Sequence, residues 1–220
     1  MIDVITTAIP RGLLAVCVPR LLHMTDWGDH KVRWICHIDR CKGFSQKQLE
    51  GEVDEAYKLR HLFDDSVIMY NEHGCGINEA VFKLFLNIHH DMLFIEDDKY
   101  CQYHWKLQDL LDFNLHYANF GKRSTRTGGF ETSYWRKDVV DEAVRTYRLT
   151  RKKNVLEREW KKWLKHKYPA RICSKRCTKS FPSDLFVDIG VVMLERHGLV
   201  YNKWRGKPIY KMEKDNVRIS

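Results

Sequence analysis

Residues 71–98 read NEHGCGINEAVFKLFLNIHHDMLFIEDD, and this stretch decides the fold. It opens with a polar turn containing two glycines, and the apolar residues from Ile77 to Ile88 then recur at helical spacing, which predicts an amphipathic helix. Met92 to Ile95 predicts a short buried strand that runs directly into the acidic triplet 96–98. A helix followed by a buried strand with a polar end is the repeating unit of a parallel α/β sheet.

The same alternation of strand and helix runs through the preceding part of the chain. Runs rich in β-branched or apolar residues predict strands at Ile2 to Ile9, Val32 to Ile38 and Ser66 to Tyr70. Helical spacing covers Leu13 to Met24 and Gln46 to Phe63, although Pro19 is expected to kink or end the first helix. The alternation predicts an α/β fold with a mostly parallel sheet flanked by helices and joined by right-handed crossovers.

The pattern changes after Asp98. Helices are predicted over Tyr100 to Leu111, Val139 to His166 and Asp184 to His197, and a strand is predicted over Phe113 to Phe120. Internal repeats and low-complexity linkers are absent from the sequence. We therefore expect a single domain over residues 1–220, with a basic helical elaboration in its C-terminal half.

The net charge of +9 comes from one segment of the chain. Residues 136–179 hold sixteen Lys or Arg against five Asp or Glu, whereas the remainder sums to −2. Such a segment is a solvated helix face, a contact with nucleic-acid phosphates and bases, or a contact with anionic lipid headgroups. The nucleic-acid hypothesis, which also includes the basic loop near residue 125, assigns binding to Lys122, Arg123, Arg126, Lys152, Lys153, Trp160, Lys161, Lys162, Trp163 and Lys165.

Composition also bears on the compartment. The longest apolar runs fall short of the ~18 residues that a membrane-spanning helix needs, and the seven cysteines are an odd, scattered set that makes a poor disulfide framework. The sequence therefore predicts a cytoplasmic protein with reduced thiols. Zinc binding near Cys173 and Cys177 stays an open alternative, because a C-x3-C spacing without a matching pair is a weak signal.

Three successive carboxylates at the end of a buried strand are costly to hold together. Two unit charges ~4 Å apart repel by ~4 kcal/mol at an effective dielectric of 20, so Glu96, Asp97 and Asp98 favour a cation among them. Carboxylate oxygens suit Mg²⁺ or Mn²⁺, which proteins commonly share with substrate phosphates. The alternative is an acidic turn that caps the next helix. Arg11, which follows the first strand, is either a phosphate contact or an exposed, solvated side chain.

Together, the turn, the helix and the acidic strand end resemble the heart of the GT-A glycosyltransferases, particularly the large inverting family that makes polysaccharides and glycoconjugates. In that family the helix begins with a Gly-x-x-x-Ala spacing, present here as Gly76 and Ala80, and an apolar strand delivers a D-x-D motif. This chain has Glu96 at the first acidic position, as some GT-A enzymes do. The resemblance implies a Rossmann-like GT-A fold, with a nucleotide-sugar-binding half at 1–100 and an acceptor half at 101–220.

The same resemblance implies roles for individual residues. It makes Asp98 and Glu96 the ligands of a Mn²⁺ or Mg²⁺ cofactor. The general base corresponds to an acidic residue near the start of a helix that ends in Gly, which leaves Asp188 and Asp184 as candidates, with Asp188 fitting the spacing to Gly198 better. A nucleotide sugar such as UDP-glucose is then expected to contact Pro10, Arg11, Asp39, Asn71, Gly76 and Asp97.

The acceptor is left with more than one interpretation. A compact basic enzyme is similar to the GT-A enzymes that sugar-modify hydroxymethylated pyrimidines in viral DNA, which favours a DNA acceptor such as 5-hydroxymethylcytosine in a bacterium or a virus-infected cell. The alternatives are a lipid-linked or surface glycan, with an anionic membrane as partner, and a non-enzymatic nucleic-acid-binding protein. No obligate protein partner is inferred. A Rossmann dehydrogenase or methyltransferase is disfavoured, because the first turn reads Pro10-Arg11-Gly12 and lacks the glycine-rich fingerprint.

Overall fold

The computed structural model describes residues 1–41, 43–120, 132–150, 163–164, 166–168, 181–182 and 185–189. Strands alternate with helices along the first half of the chain, as the sequence predicts. The strands are β1 (Ile2–Ala8), β2 (Thr25–Asp26), β3 (Val32–Asp39), β4 (Asp65–Asn71), β5 (Met92–Ile95), β6 (Lys99–Cys101), β7 (Trp105–Lys106), β8 (Tyr117–Asn119), β9 (Thr132–Trp135) and β10 (Phe186–Asp188). The helices are α1 (Leu14–Met24), α2 (Gln46–Leu59), α3 (Ile77–Leu86), α4 (Leu107–Leu111) and α5 (Lys137–Thr150), with a 3₁₀ turn at Arg60–Leu62.

Six of these strands form the central sheet, in the order β4-β3-β1-β5-β9-β8. The pairings of β3 with β4, of β1 with β3 and of β1 with β5 are parallel. The pairings of β9 with β5 and with β8 are antiparallel. The prediction of an α/β fold with a mostly parallel sheet flanked by helices is therefore confirmed.

Strands β1, β3 and β5 are buried on both faces of the sheet, which is why they read as almost continuous apolar runs. Because side chains alternate along a strand, neighbouring residues of β1, β3 and β5 enter two different core clusters. One cluster contains Val4, Trp34 and Leu93, and it also includes residues of α1 and α2. The other contains Ile5, Ile35 and Phe94, and it also includes residues of α3 and α5.

Pro19 lies inside α1 without ending it. Since proline lacks a backbone N–H, this position costs the helix one hydrogen bond. The continuing helix buries Cys17, Val18 and Leu21 on the sheet, and this burial offsets the loss. The prediction of one helix over this segment is confirmed, with Pro19 as a tolerated interruption.

Two helix predictions are wrong in the second half of the chain. Residues 100–111 contain β6, β7 and only the short helix α4. Residues 186–188 form β10 and pair antiparallel with β6, although the sequence predicts a helix from Asp184. In both places the strands are two or three residues long and depend on distant partners, so local helical spacing was a poor guide.

Among the described residues, the helices are too short or too polar to cross a membrane. The prediction of one domain over residues 1–220 stays a prediction, since most of 151–220 lies outside the described residues.

Candidate functional site

The carboxyl ends of three adjacent parallel strands surround one cavity of about 130 Å³. Ligands of open α/β sheets bind at this edge. The lining residues come from the end of β1, the end of β3, helix α3 and the turn after β5. They are Thr7, Ala8, Ile9, Arg11, His37, Asp39, Cys41, Ala80, Glu96, Asp97 and Asp98.

Arg11 links two of the three acidic residues that follow β5. Its Nε and Nη2 atoms donate to the two oxygens of Asp97, and Nη2 also lies 2.9 Å from Asp98 Oδ2. Only 13% of the Arg11 side chain is exposed, so the alternative of an exposed, solvated residue is wrong. A bidentate arginine–carboxylate contact is geometrically specific, and Arg11 therefore sets the orientation of Asp97.

Asp97 also ties β5 to the end of β1. Its backbone N–H donates to the Thr7 carbonyl at 3.1 Å, and its carboxylate accepts a bond from the Ile9 backbone N–H at 3.4 Å. Burial raises the pKa of Asp97, whereas the Arg11 guanidinium opposes that shift by favouring the ionised form. In this structure Asp97 holds the wall of the cavity together.

Glu52 supports the loop between β1 and α1, and it is absent from the sequence-based predictions. Its carboxylate accepts bonds from the backbone N–H groups of Gly12, at 2.7 Å, and Leu14, at 3.4 Å, so it caps the start of α1. Burial raises the pKa of Glu52 to about 7, although these two N–H groups oppose the shift. A signal was available, because Glu52 shares the buried face of α2 with Leu49 and Ala56.

Lys99 is the second residue that the sequence-based predictions miss. Its ammonium nitrogen lies 3.3 Å from Glu96 Oε2, 3.1 Å from Asp98 Oδ1 and 3.1 Å from Asp188 Oδ2. Burial lowers the pKa of Lys99, but the three carboxylates outweigh burial and raise the pKa above its ordinary value. The ammonium is therefore charged, and it is the cation on which these acidic side chains converge.

Asp188 reaches the acidic triplet through β10. The antiparallel pairing places Asp188 opposite Lys99, and the backbone N–H of Ile189 donates to the Asp98 carbonyl at 3.0 Å. The Asp188 side chain is 50% exposed. The structure thus brings this candidate base beside the candidate metal ligands, on a strand rather than on the predicted helix. The other candidate base, Asp184, lies outside the described residues.

Asp39 holds the turn that precedes α3. Its two carboxylate oxygens accept the backbone N–H groups of Cys75, at 2.7 Å, and Gly76, at 2.9 Å. Gly74 makes this turn possible, because its φ is +69° and a Cβ there would lie 2.6 Å from the Arg40 carbonyl oxygen. Asp39 therefore both lines the cavity and shapes its rim.

The other residues predicted to bind the donor lie around this rim. Gly76, with φ +78°, is the residue before the first turn of α3, and Asn71 is the last residue of β4. Pro10 is buried in the loop after β1. None of these three residues lines the cavity, so they belong to the loops and strand ends around it.

His37 is a cavity residue without a predicted role. Its side chain is almost completely buried, and its Nε2 atom lies 4.0 Å from Cys75 Sγ. Burial lowers the pKa of His37, which outweighs the opposing influence of Asp39. The imidazole is therefore neutral near pH 7.

The five described cysteines are free thiols, and Cys173 and Cys177 lie outside the described residues.

The acidic edge fits a divalent cation in chemistry and charge. Glu96, Asp97, Asp98 and Asp188 carry four formal negative charges against the two positive charges of Arg11 and Lys99, which leaves a balance of −2. Asp98 Oδ1 is buried and accepts no well-aligned hydrogen bond. Within the described part of the chain, however, no three His, Cys, Asp or Glu side chains are already arranged to hold a metal ion. The point on which the carboxylates converge is held by the Lys99 ammonium.

Only one of the residues predicted to bind nucleic acid is described. Trp163 packs partly buried against the second core cluster, and the Lys167 ammonium lies 5.8 Å from the centre of its ring. Lys167 is also paired with Glu142. The remaining nine predicted nucleic-acid contacts lie outside the described residues.

No family profile and no curated protein sequence matches this chain. Among solved structures, its fold is similar to that of TarS 1–349 from S. aureus, with 12% identity and a TM-score of 0.48, over 64% of this chain and 48% of that one. TarS 1–349 has also been solved with UDP-GlcNAc. The fold is similar as well to the mannosyltransferase PcManGT from Pyrobaculum calidifontis in complex with GDP-Man and Mn²⁺, with 11% identity and a TM-score of 0.47, over 64% of this chain and 46% of that one.

The chain thus spans about half the length of these structures. Because one fold can host many functions, the activity has to be argued from the residues of the site. Fold and site together define a mostly parallel α/β protein with a cavity lined by charged residues at the carboxyl edge of its sheet.

Proposed function

We propose that this protein is a glycosyltransferase that moves a sugar from a nucleoside diphosphate to a hydroxyl group. The observation that carries the proposal is the convergence of Arg11, Lys99 and four carboxylates at the carboxyl edge of β1 and β5, next to the Asp39 turn after β3. Such an edge offers a recess for a nucleoside and a charged region for its diphosphate. A dehydrogenase or methyltransferase would bind its ligand through a glycine-rich first turn, which this chain lacks.

The proposed donor lies with its nucleoside towards Asp39 and its diphosphate towards Arg11. A Mn²⁺ or Mg²⁺ ion held by Glu96 and Asp98 would neutralise the charge that develops on the diphosphate as the sugar leaves. Arg11 keeps Asp97 and Asp98 in place through its contacts with both side chains. Asp97 and Glu52 hold the backbone of the loop after β1, which keeps Arg11 next to the acidic edge.

Asp188 is our proposed general base. It is half exposed, and it stands beside Lys99 and Asp98. A carboxylate in this position accepts the proton of the acceptor hydroxyl as that oxygen attacks the sugar. Asp188→Asn keeps the shape and removes proton acceptance, so turnover should fall by roughly 10²–10⁴ while donor affinity changes little. If Asp184→Asn shows that loss instead, the base has been assigned to the wrong residue.

The decisive experiment tests the donor before the acceptor. Purified protein is screened by thermal shift against UDP-sugars, GDP-sugars, NAD and S-adenosylmethionine, each with and without Mn²⁺. We expect a UDP-sugar with Mn²⁺ to raise Tm and to be hydrolysed or transferred, as followed by mass spectrometry. A rise with NAD or S-adenosylmethionine alone would contradict the proposal.

For the acceptor, we propose a hydroxymethylated pyrimidine in DNA, and a cytoplasmic site of action follows from that. The support is the excess of positive charge over residues 136–179. In the described part of that segment Arg136, Lys137 and Lys167 are each paired with an acidic side chain. The described part also contains Arg145, whose side chain is exposed. The other cations proposed to meet DNA, such as Lys161, Lys162 and Lys165, lie outside the described residues. A base in duplex DNA has to be extruded to reach a buried donor, at a cost of a few kcal/mol.

Salt dependence separates a DNA acceptor from a lipid or glycan acceptor. Binding to phosphates releases counterions, so log K should fall with log salt by ~0.9 per phosphate neutralised. Replacing Lys161, Lys162 and Lys165 with Ala should flatten that slope by up to ~3 units if each contacts a phosphate, without changing affinity for the nucleotide sugar. Binding to anionic liposomes but not to DNA at low salt would favour a lipid-linked acceptor and contradict the DNA proposal.

A further inference from the structure

The Lys99 ammonium occupies the point at which the acidic side chains converge. Glu96, Asp98 and Asp188 come from two separate stretches of chain, and each places one oxygen 3.1–3.3 Å from the same nitrogen. Only 10% of the Lys99 side chain is exposed. These three oxygens form an acidic cage around the Lys99 ammonium, so the cation inside it belongs to the protein.

A divalent ion held by Glu96 and Asp98 would use two of these oxygens. Mg²⁺ binds oxygen at about 2.0–2.1 Å, so the carboxylates would have to move inward by about 1 Å from their distances to Lys99. An ammonium and a metal ion cannot share that point, because they repel each other. This inward movement is hardest for Asp98, because its other oxygen already lies 2.9 Å from Arg11 Nη2.

We propose that the Lys99 ammonium competes with a divalent cation for Glu96 and Asp98, so that metal enters this site only by displacing the lysine. The backbone of Lys99 is fixed by the pairing of β6 with β10, but its four-carbon side chain can swing out of the cage. A diphosphate arriving with the metal provides a new anionic partner for the displaced ammonium. Metal and nucleotide are therefore expected to bind cooperatively. This inference rests on the proposed function only for the identity of the nucleotide.

The first test measures metal binding without any nucleotide. Mn²⁺ is titrated into the full chain by calorimetry and by electron paramagnetic resonance, for the wild type, Lys99→Met and Lys99→Gln. Both variants empty the cage of its positive charge, and Gln leaves a hydrogen-bond donor there in case Met weakens folding. Lys47→Met is the matched control, because it removes one positive charge from the exposed surface of α2.

We expect both Lys99 variants to bind Mn²⁺ at least about tenfold more tightly than the wild type, and Lys47→Met to bind like the wild type. Equal or weaker binding by folded Lys99 variants would overturn the proposal, since Lys99 would then hold the cage together without excluding metal. An equal gain in Lys47→Met would also overturn it, because the effect would come from net charge alone.

The second test measures cooperativity. UDP should increase the affinity of the wild type for Mn²⁺. The increase should be several-fold smaller in Lys99→Gln, because this variant has no displaced ammonium that needs a new anionic partner. An equal effect of UDP on both proteins would contradict the displacement step. If UDP binds neither protein while the Lys99 variants still gain Mn²⁺ affinity, the competition holds and the proposed donor is wrong.

Discussion

The two edges of the central sheet hold acidic side chains in different ways. At the amino edge, Asp3 accepts the backbone N–H groups of His89, at 2.7 Å, and His90, at 3.1 Å. Asp64 and Asp91 of the same edge likewise accept the backbone N–H groups of Val32 and Lys137, which begin β3 and α5. These backbone partners cannot turn away. Asp3 also faces the side chains of His90, at 3.1 Å, and Arg33, at 3.7 Å.

At the carboxyl edge, the cations that face Glu96, Asp98 and Asp188 are the side chains of Arg11 and Lys99. Side-chain partners can exchange for a ligand, whereas backbone partners can leave only if the strand itself moves. The comparison leads to the hypothesis that the acidic residues of the amino edge serve stability, whereas Glu96, Asp98 and Asp188 serve the proposed binding. Substitutions at the two edges should therefore affect different measurements.

The largest effect is expected for Asp98→Asn. This change leaves Arg11 and Lys99 in place but replaces an anionic ligand of the proposed metal with a neutral amide. Transfer should therefore fall on the order of 10³-fold, as for loss of a main electrostatic contact. Turnover with a UDP-sugar and Tm are measured together. A large fall in Tm with turnover retained would mean that the carboxyl edge is structural like the amino edge.

Asp3→Asn should have the opposite effect to Asp98→Asn: it should lower stability and leave nucleotide binding intact. Asp3 is fully buried and lies 3.7 Å from Arg33, whose side chain is 8% exposed. Removing one partner of a buried pair costs about 3–5 kcal/mol, so we expect the free energy of unfolding in urea to fall by about 3 kcal/mol. Nucleotide affinity should stay unchanged in the folded protein. A stable variant with weakened nucleotide binding would break the distinction between the edges.

Glu52 allows a test by pH, since its pKa in the folded protein, about 7, lies above the ordinary 4.5. A carboxyl group whose pKa is raised by folding contributes its full stability below pH 4.5 and loses it as the pH rises through 7. The loss approaches about 3 kcal/mol at 1.36 kcal/mol per unit. Glu52→Gln should therefore be more stable than the wild type at pH 8, and the difference should vanish near pH 4.5. Parallel pH profiles of the two proteins in urea would contradict this.

The smallest effect is expected on the outer surface. Lys83 and Glu79 form an i,i+4 pair in α3 at 3.1 Å, with 36% and 57% of their side chains exposed. Solvent screens such pairs, so Lys83→Ala should lower the free energy of unfolding by about 0.3–0.5 kcal/mol. This variant calibrates the Asp3 measurement. A loss comparable to that of Asp3→Asn would show that charge removal alone is costly in this fold.

The first half of the fold was predictable because its strands are buried and apolar. Runs such as Val32 to Ile38 need no partner to be recognised, since few other structures bury such a sequence. The acidic strand end was predictable as well, because an apolar run that ends in three carboxylates is unusual. Arg11 could be named, but its pairing with Asp97 depends on the adjacency of β1 and β5 in the sheet.

The rest of the site depends on contacts that sequence spacing does not encode. The sequence gives no sign that Lys99 belongs to the site, because its contact with Asp188 depends on the pairing of β6 with β10. The helix predicted from Asp184 was wrong for the same reason, because pairing with β6 overrides the local pattern of residues 186–188. Glu52 was the avoidable omission, since helical periodicity alone places it on the buried face of α2.

The pairing of β6 with β10 also has a consequence for the order in which the protein is made. Lys99 and Asp188 are 89 positions apart in the chain. At a synthesis rate of about 5–20 residues per second, Lys99 precedes Asp188 by roughly 4–18 s. During this interval the parallel strands β1, β3, β4 and β5 are already present, and Lys99 has only Glu96 and Asp98 to neutralise it. A newly made chain therefore passes through a stage in which the sheet can form before its charged edge is complete.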